Sequence, residues 1–501
     1  MYKIIIIILC GLLISCGGGD GESFSLIKKN NSPLFVEGFT PQSADLNDKK
    51  IRLFSAQLTS QQKILFDSQL NPKIFSRNYS SSENIILNKI GTKRTSSNLF
   101  FAHDASKFKW YLNPENKLST SIIIASPDAQ GIRLAINFKD ISQGVVFVFR
   151  NSDNTSSYIH SSDELLAFSY KEKDGSLTYI SPFIAGDELI VEVILSTADE
   201  GNIPKINFPY ISHFNTANEP SDLIFTSGKS SYCQINAVCD LNSLKTSSSI
   251  TKIIYTDPET GGSYVCSGTL LNDRISSGTP YLITAGHCIN NQNTANTVQT
   301  FWFYNSLKCN EFEINPKYTS VSGGALFLHS DKATDISLIK MNKNPPQGVT
   351  FSGWSSANIE NNNMVASLHH PRGDLQKIST GFIRNYLQCF FYPDQDGFKC
   401  KPIDSKTESN STHYEVRWSS GVTEAGSSGS GLFVKINNNN YLIGNLTGGN
   451  ESCEYPQGFA AFGRFDKSYN SALFNWLDNS SYNYKNSFYE LADMLKKSIP
   501  R

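Results

Sequence analysis

Apolar and polar positions alternate in short runs through the middle of the chain, and a period of two predicts strands. The clearest runs are Thr120 to Ile124, Ile132 to Phe138 and Val145 to Phe149, with further ones at Leu189 to Leu195 and Lys205 to Phe208. Turn formers separate them, notably Ser126-Pro127-Asp128 and Gln143-Gly144. Several short strands with turns between them predict a β-sandwich-like domain over residues 51–227. Residues 24–50 carry no such pattern and read as linker. Helical periodicity is weak throughout, and no repeat of fixed period is present.

The one long apolar run is at the start. Met1-Tyr2-Lys3 is a short basic opening, and the 11 residues from Ile4 to Ile14 are almost all apolar. That is too short to span a bilayer and suits the core of a signal peptide over residues 1–15. The run ends Leu13-Ile14-Ser15-Cys16-Gly17-Gly18-Gly19, which resembles a bacterial lipoprotein signal. The resemblance implies lipidation of Cys16, a tether over 16–50, and an anchor to a membrane without a transmembrane helix. The alternative is an ordinary secretory signal with a stray cysteine. Export is expected on either reading, to the outer membrane or cell surface if Cys16 is lipidated.

Composition narrows the classes. A chain of 501 residues is long enough for two to four domains. Lys+Arg 44 against Asp+Glu 45 gives a net charge of -1, so no bulk attraction to nucleic acid is expected. Hydrophobic residues are 39%, which excludes a multi-span membrane protein and a disordered chain. Of 10 cysteines, all but Cys10 and Cys16 fall after residue 230: Cys233, Cys239, Cys266, Cys288, Cys309, Cys389, Cys400 and Cys453. Eight cysteines in an exported chain read as four disulfides. Their spacings match no zinc pattern, and neither a metal nor a cofactor is expected.

Three motifs in this half carry chemistry. Thr284-Ala285-Gly286-His287-Cys288 follows a strand-like run. Asp335 opens the alternating run Ile336 to Lys340. Gly426-Ser427-Ser428-Gly429-Ser430-Gly431 is a tight turn before Leu432-Phe433-Val434. A serine hydroxyl needs a base within hydrogen-bond reach to become a nucleophile, and a histidine supplies one near neutral pH. A carboxylate fixes the imidazole tautomer. Glycines let main-chain N–H groups converge on a developing oxyanion, here those of Gly426 and Ser428. Each motif alone has a plainer reading: a flexible linker, a structural histidine, a turn aspartate. His103, His160 and His213 are isolated and read as structural, and the His369-His370 pair as structural or cleft-lining. Trp418 reads as a buried core residue.

In chain order the three motifs run His, Asp, Ser, and they resemble the chymotrypsin-like serine proteases. The closer likeness is to bacterial lysyl endopeptidases. It rests on Gly421-Val422-Thr423-Glu424 before the serine turn, His369-His370-Pro371-Arg372-Gly373-Asp374, and Gly444-Asn445-Leu446-Thr447-Gly448-Gly449 before Cys453. The closing Phe462-Gly463-Arg464-Phe465 and the start Gly228-Lys229-Ser230-Ser231-Tyr232-Cys233 belong to it as well. The resemblance implies a double β-barrel over 228–478, with residues 51–227 as a pro- or accessory domain and 479–501 as a tail. It implies His287, Asp335 and Ser428 as catalytic residues, and Val422, Thr447, Gly448, Gly449 and Ala460 along the substrate cleft. It also implies disulfides Cys233–Cys453, Cys239–Cys309 and Cys266–Cys288, leaving Cys389 and Cys400 to clip a hairpin. The 22-residue Cys266–Cys288 loop is worth about 3 kcal/mol on a chain-entropy argument.

The chain departs from these families at two points. Ser427 stands where trypsin-like zymogens carry an aspartate that pairs with a freed N-terminus. Lysyl endopeptidases place an aspartate a few residues before the closing Gly-Arg-Phe, whereas Gln457 to Phe462 holds no carboxylate. Glu451, Glu454 and Asp466 are the nearest acids. An apolar or small side chain before the cut bond is therefore the physical expectation. The function expected is an exported, monomeric serine endopeptidase acting on protein or peptide substrates. The rival is a surface binding or adhesion protein whose protease domain is inactive or secondary.

Overall fold

The strand Gly131–Phe138 explains the first layer. Its alternate residues Ile132, Leu134, Ile136 and Phe138 point one way and are almost fully buried. They meet Ile122, Ile124, Phe147, Phe149, Val191 and Val193 of a facing sheet in one apolar core. The facing sheet runs Gln62–Leu65, Leu118–Ala125, Glu188–Ile194, Val146–Arg150, Ser157–Ser161, and only its first pair is parallel. Two sheets over a shared core make a sandwich, the architecture read from the alternating runs.

This structure is a computed structural model. It describes residues 33–41, 62–66, 68–69, 88–96, 107–196, 203–214, 230–240, 243–392, 397–405, 407 and 409–478. The signal peptide, Cys16, the boundary at residues 227–228 and the tail 479–501 lie outside the described residues.

On the other face of Gly131–Phe138, Ala135 packs with Tyr170, Ile180 and Tyr210, and buried Arg133 reaches the second half of the chain. Arg133 donates to Ser181 O at 2.9 Å, Thr256 Oγ1 at 3.0 Å and Thr297 O at 2.6 Å. Partners on three segments satisfy a guanidinium that desolvation alone would oppose, and its pKa is pushed down to about 10. The sheet also continues across. Gly131–Phe138 pairs with Ile211–Phe214, which pairs with Asn88–Thr95, which pairs with Ser263–Leu271.

Ser263–Leu271 belongs to the first of two barrels. The order is Thr319–Ser322, Gln299–Trp302, Ile250–Thr256, Ser263–Leu271, Tyr281–Ala285, Ile336–Met341, Ala325–Asp331. Ile253, Leu270, Leu282, Trp302 and Ile339 fill its centre. The second barrel runs Asn439–Gly449, Gly431–Ile436, Met364–His369, Lys377–Tyr392, His413–Ser420, Ala460–Arg464, and the last strand pairs back onto the first. Closure removes the exposed edges that an open sheet would present.

Residues 34–41 differ from the linker reading of 16–50. Phe35-Val36 pairs with Trp354-Ser355, Phe39 and Phe351 exchange main-chain hydrogen bonds, and Val36 is buried in the core between the barrels. A two-residue strand is too short to leave a period in the sequence. The four disulfides are Cys233–Cys453, Cys239–Cys309, Cys266–Cys288 and Cys389–Cys400, the last clipping the hairpin of Lys377–Tyr392 with Gly397–Ile403.

Candidate active site

The three motifs meet where the barrels face each other. His287 follows the strand Tyr281–Ala285, and Asp335 precedes the neighbouring strand Ile336–Met341. Asp335 takes a left-handed φ of 55°, a conformation that Asp tolerates better than most residues. Its main-chain carbonyl accepts from Gly286 N at 2.8 Å, its Oδ1 from His287 N at 2.8 Å, and its Oδ2 from His287 Nδ1 at 2.7 Å. The imidazole is thereby held as the Nδ1–H tautomer, leaving Nε2 to accept. Among the described residues Nε2 has no hydrogen-bond partner.

The close fit needs small residues on both sides. A Cβ on Gly286 would lie 3.0 Å from Asp335 Oδ1, and one on Gly463 would lie 1.8 Å from Thr334 O. Gly463 thus lets the strand Ala460–Arg464 pass directly beneath the Asp335 turn. Arg464 beside it is fully buried, paired with both oxygens of Asp466 and with Ser411. The Phe-Gly-Arg-Phe segment is therefore a support for Asp335.

The Ser428 turn packs against the same region. Ser428 O accepts from Ser267 N at 2.8 Å, and Gly429 leaves no room for a side chain, since a Cβ would lie 2.3 Å from Thr284 Oγ1. Gly426 has φ 94° and Gly429 φ 84°, both in the region that favours glycine. The N–H groups of Gly426 and Ser428 bond to nothing among the described residues, whereas those of Ser427, Gly429 and Ser430 are all engaged.

His369 braces this turn. Ser427 Oγ accepts from Glu424 N at 3.2 Å, so it donates to His369 Nδ1 at 2.8 Å; His369 Nε2 donates to Ser379 Oγ at 3.1 Å, and Ser379 Oγ to Val422 O at 3.0 Å. This chain of donors requires a neutral imidazole, and burial pushes its pKa down to about 3. His370 is also buried and neutral, its Nδ1 on Asp374 O. Neither histidine is arranged as a second base.

Of the residues read as cleft-lining, Gly448 and Gly449 end the strand Asn439–Gly449 half-exposed, opposite Ala461 and Ala460. Thr447 is buried and bonds His413 Nε2 at 3.2 Å. Val422 and Ala460 pack in the apolar core with Trp418 and Phe462. A cavity of about 390 Å³ is lined by His287 together with Tyr255, Asp257, Tyr264 and Asn291.

One residue near the site, Asn88, went unread in the sequence, and a second, Glu451, was read there only as one of the nearest acids. Asn88 pairs with Val265 at the edge of the first barrel, and its Nδ2 lies 3.2 Å from where a Gly426 Cβ would sit. Nothing local marks it, because the contact joins residues 338 positions apart. Glu451 is buried, with Oε1 accepting from Thr423 Oγ1 and from Trp418 Nε1 at 3.4 Å. Its signal was a carboxylate two residues before Cys453, on the strand exit from Gly448-Gly449.

Residues 227–462 match the family described as lysyl endopeptidase, C-terminal domain, and residues 76–215 the lysyl endopeptidase N-terminal domain. A lysyl endopeptidase of Pseudomonas aeruginosa is 30% identical over 361 residues, covering 70% of this chain and 73% of that protein. Among solved structures, the Rv3671c protease of M. tuberculosis in its active form is 15% identical with a TM-score of 0.30, covering 47% of this chain and 84% of that one. The HtrA-type protease AlgW with a tripeptide is 16% identical, also at 0.30, covering 46% and 62%. The chain belongs to the lysyl endopeptidase family of serine endopeptidases.

Proposed function

We propose that this chain is an exported endopeptidase that cuts peptide bonds through an acyl-enzyme, with Ser428 as nucleophile. The observation that carries the reading is the two-point hold of Asp335 on His287, which leaves Nε2 free to accept a proton. Ser428 Oγ attacks the substrate carbonyl carbon as its proton passes to Nε2, and the carbonyl electron pair moves onto oxygen. The unengaged N–H groups of Gly426 and Ser428 receive that oxyanion. Collapse expels the amine, which takes the proton from His287. Water then repeats the sequence on the ester and frees the acid.

Residues 51–227 act on this reading as a pro-domain. Asn88 sits against Gly426 on the strand that pairs beside Cys266, where the departing half of a substrate would run. The leader Met1 to Cys16 supports export and lipid anchoring at a bacterial surface, and four disulfides suit an oxidising compartment. Casein digestion by the wild-type chain, absent with Ser428→Ala, supports the peptidase reading. Equal digestion by both overturns it. Membrane and medium fractions probed with antibodies to each half test the anchor, which fails if both halves appear only in the medium.

A further inference from the structure

The cleft of a protease of this fold needs a recess for the side chain preceding the cut bond, between the segment leading to the serine and the strand that holds the substrate. Here those walls are Val422 to Ser428 and Thr447 to Gly449. Val422 contributes only an apolar surface, and Ala460 stands in the stretch where the lysyl endopeptidase resemblance expects an aspartate. Neither can receive a charge.

Glu451 lies between these walls. Its Oε1 is held by Thr423 of the first wall and by Trp418 of the strand that leads into it. Its Oε2 has no hydrogen-bond partner, and the side chain forms no ion pair among the described residues. Oε2 lies 2.0 Å from where a Cβ on Gly449 would sit, so it occupies the space directly under the half-exposed Gly448-Gly449 edge. Gly458 allows the returning chain to pass, since a Cβ there would lie 2.6 Å from Glu451 Cα. The Cys233–Cys453 disulfide fixes the loop two residues on.

The other acids nearby are committed or remote. Glu424 is bound by Ser231, Gln234 and Arg372, Asp466 by Arg464, and Glu454 is exposed. A buried carboxylate with one oxygen unsatisfied is costly, and burial pushes its pKa up to about 7. A cation bearing N–H donors offsets that cost.

We propose that Glu451 is the specificity-determining residue of the cleft, its free Oε2 receiving the cationic head of a lysine or arginine side chain immediately before the cut bond. This rests on the peptidase reading and replaces the apolar preference expected from the sequence. The carboxylate reaches the recess from the strand exit, a different position from the one the family resemblance implies.

The test uses the full chain, with active sites counted by a fluorophosphonate, and coumarin amides of one peptide ending in lysine, arginine or norleucine. The wild type is expected to favour lysine or arginine over norleucine by at least about 100-fold in kcat/KM. Glu451→Gln keeps the shape and should lose that ratio when rates are normalised to the fluorophosphonate-counted sites, and Glu451→Asp should keep part of it. A wild type indifferent to the charge, or a Glu451→Gln protein that keeps the preference, overturns the proposal. If Glu451→Gln does not fold, the wild-type ratio and Glu451→Asp decide. A wild type that is never labelled overturns the peptidase reading and this inference with it.

Discussion

Asp335 grips His287 twice, with Oδ2 on the ring Nδ1 at 2.7 Å and Oδ1 on the main-chain N–H at 2.8 Å. The carboxylate therefore fixes the tautomer and the position of the imidazole together. Asp335→Asn keeps the size but presents an N–H to one of these donors. The expected result is a loss of about 10⁴-fold in kcat with the fold intact by circular dichroism. Activity within tenfold of wild type would show that His287 is not oriented this way.

Gly463 carries Asp335 from below. A methyl group added there meets Thr334 O at 1.8 Å, against main chain that cannot rotate aside. Gly463→Ala should lower stability by about 1–3 kcal/mol or more and displace the Asp335 turn, so activity falls further than stability alone explains. Denaturant titration beside kcat/KM separates the two effects.

The strand Asn88–Thr95 bridges the sandwich to the first barrel beside Gly426. A chain nicked within residues 215–229 and freed of its N-terminal half should cut casein faster than the intact chain. Coumarin amides, which barely extend past the cut bond, should show a smaller gain. Equal casein rates before and after removal would rule out a masking role.

Five buried histidines tie stability to pH. Burial pushes His160, His213 and His413 down to about 4 and His369 and His370 down to about 3, from an ordinary 6.5. Folding favours their neutral forms, so their contribution is whole above pH 6.5 and is lost as pH falls towards 3. Glu451, raised to about 7, works in the opposite sense between pH 4.5 and 7, but it is one group against five. The melting temperature should therefore fall from pH 6.5 towards pH 4. A flat profile over that range would mean the histidines are not buried neutral.

What was legible in the sequence was what local chemistry repeats. The run Ile132 to Phe138 shows its period because one face meets the sandwich core, and the glycines at 426 and 429 stand out because nothing else fits their φ. What was illegible depended on distant segments meeting. Val36 reads as linker until Trp354 lies beside it. Arg133 looks like the polar side of a strand, yet its partners are Thr256 and Thr297. Glu451 carries no local mark of burial, because the residues that bury it, Trp418, Thr423 and Gly449, come from separate turns of the chain.

The central claim is that Ser428, activated by His287, forms a covalent intermediate. Its most direct test is the intact mass of the full chain after exposure to a fluorophosphonate. The account predicts one adduct per molecule, mapped to Ser428, absent from Ser428→Ala and formed far more slowly by His287→Ala. A folded wild-type chain that takes up no adduct, or a Ser428→Ala chain labelled as fast as wild type, would contradict it.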